Sequence, residues 1–441
     1  MKNNPFEISI DKTSALPLYR QISHALTTAM AMLPHATKLP TIRSLAQSLE
    51  VNNMTVVNAY KHLENSGAVY SVIGSGFYVA EKAAKKQETI ISDCINFADT
   101  TTDPAFFPVD AFRKACDHVL LRDGGMAFNE SLPQGYAPLQ KTISEQFVNT
   151  SPQNIQIIAD ISSAMEQFVE KFINPGDIVF VERPGLESTM FSSKKARVIE
   201  VSRTANGLQK LESLMKQHKP KYLFLMPNFQ IPTGLCYTKQ DLQHIIHLSL
   251  LNDTYIIEVD SLSDFYYGSH APVSMKSLDM HDRVIYIKCF ARMLASGLRI
   301  GYIAYPKVLC PLEEPLDAAP SGFIQRVFDF YLSHIGFLEH AALMRVQYGK
   351  RYRKLIQACQ TYLSPYAHFT EPNGGLGLWI NPKMVCNVEI FEKFLHRKVV
   401  VSPGHMFVSG KTSQFRINFS NIPEERIAEG IGIISSVLAK G

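Results

Sequence analysis

From Cys94 onward, short apolar runs alternate with stretches of helical periodicity. The runs cover residues 178–181, 222–226, 255–257, 284–287 and 300–304, and the periodic stretches cover 165–173, 209–218 and 239–251. Wholly apolar runs of strand length, separated by amphipathic helices, predict strands buried on both faces. The expected architecture is a mostly parallel sheet with helices on either side. Residues 355–362 continue with helical periodicity, and the chain beyond them mixes strand and helix patterns into an α+β C-terminal subdomain.

The first eighty residues follow another rhythm. Leu18, Ile22, Leu26 and Met30 recur on one face of a helix that begins after Pro17. Thr41 is placed to cap a second helix over 42–49, and Asn52 or Asn53 to cap a third over 54–66. Two short strand patterns then flank the Gly74-Ser-Gly76 turn and predict a hairpin. Three helices and a hairpin make a winged helix-turn-helix, assigned to residues 12–80. Residues 81–92 are charged and aperiodic and read as a linker, although they are also good helix formers. Residues 93–441 form the large α/β domain, and the chain is multidomain.

Charge adds one thing to this picture. Residues 1–86 carry nine Lys/Arg against five Asp/Glu, while the remainder is balanced at 35 against 35. A basic small module on a neutral body points to nucleic acid as its partner. Seven cysteines are dispersed without a CxxC pair, which predicts reduced thiols and no metal site. The N-terminal residues hold no apolar signal core, and no apolar run is long enough to span a bilayer. The expectation is a cytoplasmic protein without a membrane partner.

From LPLYRQI through KLPTIRSLAQSLEVNNMTVVNAYKHLENSG to GSGFYV, the module resembles the GntR family of bacterial regulators nearly end to end. The resemblance implies double-stranded DNA as partner, with Lys38 in the contacting set. It implies that Thr41 and Arg43 meet phosphates, that Asn52, Asn53 and Thr55 face the major groove, and that Ser75 and Gly76 approach the minor groove. Each of these polar residues also reads as a helix cap or a solvated face. Family members often carry arginine where Asn53 stands. Asparagine pairs bidentately with adenine and arginine with guanine or phosphate, so the operator is expected to differ.

Farther on, FPVDAFRKAC, LPQGYAPLQ, MPNFQIPTG, IIEVDSLSDF, NGGLGLW, VSPGHMF and FRINFSN occur in order around FARMLASGLRIGY. With the module, they resemble the MocR subfamily, which joins a winged helix to a fold-type-I aminotransferase-like domain. The resemblance implies a homodimeric transcription regulator in which pyridoxal phosphate and a small amine tune DNA binding. The matching positions depart from it. The lysine that carries the cofactor corresponds to Arg292, whose guanidinium cannot form an imine at physiological pH. The carboxylate for the pyridinium nitrogen corresponds to Val259, the tyrosine for the ring hydroxyl to Ser261, and the asparagine of NPTG to Ile231, with Asn228 nearby. The phosphate turn corresponds to residues 159–161. Asp160 there would repel a phosphate by about 4 kcal/mol for unit charges about 4 Å apart at an effective dielectric of about 20. Arg299, a phosphate contact in the family, and Arg416, a substrate-carboxylate contact, are retained.

These departures predict a non-catalytic domain with no catalytic residues, no metal and no pyridoxal phosphate held as an internal aldimine. Asp160, Asn228, Arg292, Arg299 and Arg416 would form a vestigial or effector pocket for an unknown small molecule. Asp160 is expected to pair with Arg299, Arg292 or both; the plainer alternative has it capping the next helix while Arg292 points to solvent. Ser163 and Glu166 fit a capping box at the start of that helix. Two further readings stand beside this one: a cofactor-dependent protein using another lysine, Lys288 being nearest, and a ligand-blind scaffold that only spaces two winged helices.

Overall fold

The computed structural model describes residues 8, 10, 17–30, 37–65, 69–72, 75–79, 94–129, 133–185, 190–191, 194, 196–203, 207–309, 315–316, 319–408, 410 and 412–440. The linker assigned to 81–92 and the first residues of the module lie outside them. Contacts divide the chain into one unit over Met1–Ser92 and a second over Asp93–Gly441.

In the small unit, α1 (Leu18–Met30), α2 (Ile42–Ser48) and α3 (Asn53–Asn65) precede the antiparallel pair β1 (Val69–Val72) and β2 (Gly76–Val79). The stripe expected on α1 is partly confirmed, with Ile22 and Leu26 fully buried against Leu45 of α2 and Val56, Ala59, Tyr60 and Leu63 of α3. Tyr60 anchors the α2 entry by donating from its hydroxyl to the Pro40 carbonyl at 2.7 Å. Glu50 takes a left-handed φ of 48° in the tight turn between α2 and α3, a conformation that costs a non-glycine residue modestly and fixes the sharp reversal.

The large unit is built on a seven-stranded sheet: β3 (Ile155–Ile158), β4 (Ile178–Arg183), β5 (Arg197–Ser202), β6 (Tyr222–Leu225), β7 (Tyr255–Asp260), β8 (Val284–Cys289) and β9 (Gly301–Ala304). Their order is β3-β9-β8-β7-β6-β4-β5. All neighbours are parallel except β9, which runs antiparallel to both β8 and β3. The mostly parallel sheet expected from the pattern is therefore present. Two strands escaped the pattern. β5 lies at an edge with its side chains largely exposed, so its sequence is mixed rather than wholly apolar. β3 is short and carries Gln156 buried inside it, with its amide donating to the Leu316 carbonyl at 2.6 Å. Strands β4, β7 and β8 run past their apolar runs into Glu182, Asp260 and Lys288, all buried.

Residues 355–362 are the end of a much longer helix, α5 (Phe337–Ala358), and of the π-turn Cys359–Leu363 that follows it. The C-terminal subdomain has a four-stranded antiparallel sheet of Ala367–Phe369, Gly377–Pro382, Ser402–Pro403 and Phe415–Asn418, with helices Val388–His396 and Glu424–Leu438. This is the α+β mixture read from the sequence. Among the described residues no helix is long and apolar enough to cross a membrane, and the six described cysteines are free.

Candidate functional site

In the small unit, the predicted contact residues fall at helix starts and on the hairpin. Thr41 caps α2, its hydroxyl oxygen accepting from the Ser44 amide at 3.1 Å, and Arg43 beside it is exposed. Of the two candidate caps for α3, Asn52 takes the role, accepting from the Met54 amide at 2.8 Å. The exposed Asn53 side chain at the first position of α3 has no hydrogen-bond partner among the described residues, and Thr55 is half-buried. On the hairpin, Ser75 and Tyr78 share a hydroxyl–hydroxyl hydrogen bond of 2.5 Å, Gly76 has φ 119°, and the Lys38 ammonium lies 5.8 Å from the Tyr78 ring centre. A Cβ on Gly76 would come within 3.6 Å of the Lys38 side chain. Lys38, Ser75 and Gly76 thus gather at one place, together with Tyr78, which the motif did not single out.

In the large unit, the carboxyl ends of β7 and β8 and the N-terminus of α4 (Ile161–Phe172) open onto a cavity of about 590 Å³, the usual place for a ligand in an open α/β sheet. Asp160, Arg292 and Arg299 line it, with Val259, Ile231 and Ser261. Asp160 caps α4 by accepting from the Ser163 amide at 2.8 Å, and its other oxygen accepts from the Arg299 guanidinium at 2.5 Å. The cap is therefore Asp160, one turn earlier than the box expected at Ser163 and Glu166. Both oxygens are needed for two tasks that sequence reasoning had set as alternatives. Arg292 is not part of this pair. Arg299 reaches it from a left-handed backbone, φ 45°, at the end of the short turn Ser296–Leu298.

Arg292 is set in a tightly held turn. Thr102 donates from its hydroxyl to the Arg292 carbonyl at 2.9 Å, and the buried His340 of α5 bonds the Met293 carbonyl at 2.9 Å. Burial pulls the Arg292 pKa below the ordinary arginine value, while Cys289, Asp99 and Tyr348 act the other way. Among the described residues no carboxylate lies within ion-pair distance of it, and its guanidinium has no hydrogen-bond acceptor. Arg416, in the strand Phe415–Asn418, is only 6% exposed and also lacks a side-chain partner among them. Burial first, and then the like charge of Arg292, bring its pKa down to about 9.

Two residues expected in this pocket, Asn228 and Arg416, are not among those that line it. Asn228 does not line this cavity; its amide donates to the Val273 carbonyl at 2.9 Å, in a separate pocket with Tyr237 and Tyr266. It precedes the loop that enters the cavity at Ile231, and the intervening residues turn it away. Lys288 alternates with Cys289 along β8 and points to the opposite face of the sheet. There it is buried between Asp260 at 3.2 Å and Asp264 at 2.8 Å. Burial alone would lower its pKa, yet the two carboxylates hold it above the ordinary lysine value.

Sequence reasoning missed the props of the cavity. Glu182 accepts from Arg203 at 2.8 Å, from the Tyr237 hydroxyl at 3.0 Å and from the Met226 amide at 3.1 Å. Arg203 also donates to the Leu235 and Met226 carbonyls, both at 2.7 Å, and so fixes the ends of the MPNFQIPTG loop. The polar Glu182 at the end of an apolar run was the available signal.

Over residues 93–434 the chain matches the family model described as aminotransferase class I and II. This chain belongs to that family. Residues 18–79 match the model for bacterial regulatory proteins of the gntR family, so a gntR-type DNA-binding module is fused to an aminotransferase-like domain. The chain is 26% identical to the uncharacterized HTH-type transcriptional regulator YdcR of Escherichia coli (strain K12), over 91% of this chain and 94% of that protein. It is 25% identical to the 2-aminoadipate transaminase of Thermus thermophilus, over 76% of this chain and 88% of that enzyme. The fold matches the crystal structure of Pyrococcus horikoshii kynurenine aminotransferase with a TM-score of 0.74 at 23% identity, covering 82% of this chain and 95% of that one.

Proposed function

We propose that this protein is a homodimeric transcription regulator whose large domain senses a small molecule without aminotransferase chemistry. The observation that carries the reading is Arg292 in the cavity wall, with no lysine lining the cavity among the described residues. The family implies pyridoxal phosphate, and on this reading the residues do not fit it. Val259 offers the pyridinium nitrogen no acceptor, Ile231 offers the ring hydroxyl no donor, and Asp160 places a carboxylate at the helix N-terminus where a phosphate would sit. Lys288, the nearest lysine in sequence, is held by two carboxylates on the other face of the sheet.

Exposed apolar side chains support the dimer. Leu121 is 88% exposed at the end of the helix Val109–Asp123, and Phe128, 65% exposed, follows in the next turn. Large apolar side chains left this exposed are suited to an interaction surface, and a twofold dimer presents two winged helices to two half-sites. Incubating the purified protein with pyridoxal phosphate tests the chemistry. No visible Schiff-base absorbance and no borohydride-trapped adduct in the mass spectrum are expected; a stoichiometric adduct overturns the reading.

A further inference from the structure

The charged groups around the cavity are unevenly matched. Asp160 and Arg299 neutralise each other, and Asp160 also accepts from the Ser163 amide in the first turn of α4. Arg292 lines the cavity and has no partner among the described residues, and the charge of Arg416, which is nine-tenths buried and does not itself line the cavity, acts on it. Asp99, whose charge reaches Arg292, accepts hydrogen bonds from the Thr101 amide at 2.8 Å and hydroxyl at 2.7 Å and from Asn421 at 2.7 Å. It is committed to its own turn. Holding a guanidinium away from water without a counter-charge is costly, and Arg292 is the cation of this wall that an anion from outside the chain can meet. The rest of the wall is largely apolar, with Met190, Met226, Ile231, Val259 and Phe407.

We infer that the cavity binds a small monocarboxylate with an apolar body, its carboxylate on Arg292 and its hydrocarbon part along Met226, Ile231 and Val259. The inference rests on the sensing role proposed above and names the class of effector. The planar guanidinium fork matches a carboxylate bidentately, and the apolar wall gives the body of the ligand its area of contact. A phosphate is disfavoured. Its second negative charge would share the cavity with Glu166, and at the helix N-terminus that would receive it the Asp160 carboxylate already stands.

Isothermal titration calorimetry on the full-length protein tests this with phenylacetate, hexanoate, the neutral isostere phenylacetamide and inorganic phosphate. Retention of a random-sequence duplex is measured in parallel without any of them. At least one carboxylate is expected to bind saturably, phenylacetamide and phosphate to give no binding, and Arg292→Gln to weaken the carboxylate about ten-fold or more. Arg292→Lys, which keeps the charge, is expected to retain part of the affinity. Should Arg292→Gln fail to fold by circular dichroism, the carboxylate-against-amide comparison on the unaltered protein decides alone. Phosphate binding as tight as carboxylate, or carboxylate binding that Arg292→Gln leaves unchanged, overturns the inference. If neither carboxylate binds while the duplex is retained, the inference falls and the regulator reading stands; if duplex retention is also missing, both fall.

Discussion

Asn52 and Asn53 are adjacent, identical in chemistry and different in role. Asn52 spends its side-chain oxygen on the Met54 amide, whereas Asn53 is exposed and uncommitted at the first turn of α3. Asn53→Ala is therefore expected to relax base preference at one operator position, at about 1–3 kcal/mol. Asn52→Ala should lower the stability of the module by about 1 kcal/mol. Equal losses on specific and random DNA for Asn53→Ala would remove its assignment to base reading. Arg43→Ala should weaken binding to every sequence and reduce the slope of log affinity against log salt by about one. In the large domain, Arg292→Lys alone is expected not to form a Schiff base with pyridoxal phosphate, because Asp160 still stands at the helix N-terminus; borohydride trapping followed by mass spectrometry reads the outcome.

At the scale of elements, the turn bearing Arg292 depends on α5 through His340. Burial lowers the His340 pKa below its ordinary 6.5. The unfolded chain therefore binds the proton more readily, and the contribution to stability is present above about pH 6.5 and lost as the pH falls below it. The melting temperature of the unaltered protein should drop more between pH 7 and pH 5.5 than that of His340→Gln; parallel curves would exclude the effect. Glu182→Ala leaves Arg203 buried without its counter-charge and is expected to cost about 3–5 kcal/mol, seen as a lower denaturation midpoint. These elements also show what the sequence could and could not say. The strands buried on both faces were legible because burial demands unbroken apolar runs. β5 was not, since one face of an edge strand meets water. Arg292 was legible through its flanking pattern, whereas the Glu182–Arg203 prop joins residues from different strands and leaves no local periodicity. Asn228 was misplaced because nearness in sequence says nothing about which way a loop turns.

At the scale of the molecule, the small unit has its own buried core, centred on Ile22, Leu45, Val56 and Tyr60. A fragment of residues 1–92 is expected to fold by circular dichroism and to bind a single half-site. Without a dimerising domain it loses the effective concentration that a linked second module supplies. Its affinity for a full operator should fall by a factor of about 10² or more in a gel-shift titration. A fragment that bound the full operator as tightly as the whole chain would show that the large domain does not assemble the dimer.

The two bonds of Asp160 also constrain the order in which this cavity can change. Replacing Asp160 to clear room for a phosphate uncaps α4, at about 1 kcal/mol, and strips Arg299 of its partner. Nothing is gained until position 292 also becomes lysine, and lysine arriving first meets a site still closed to the cofactor. On the reading proposed above, each single step is neutral or harmful, and only the combination, with an acceptor at Val259 as well, would give covalent chemistry. A path from this cavity to one that holds the cofactor covalently therefore begins, on that same reading, with a protein less stable than the present one.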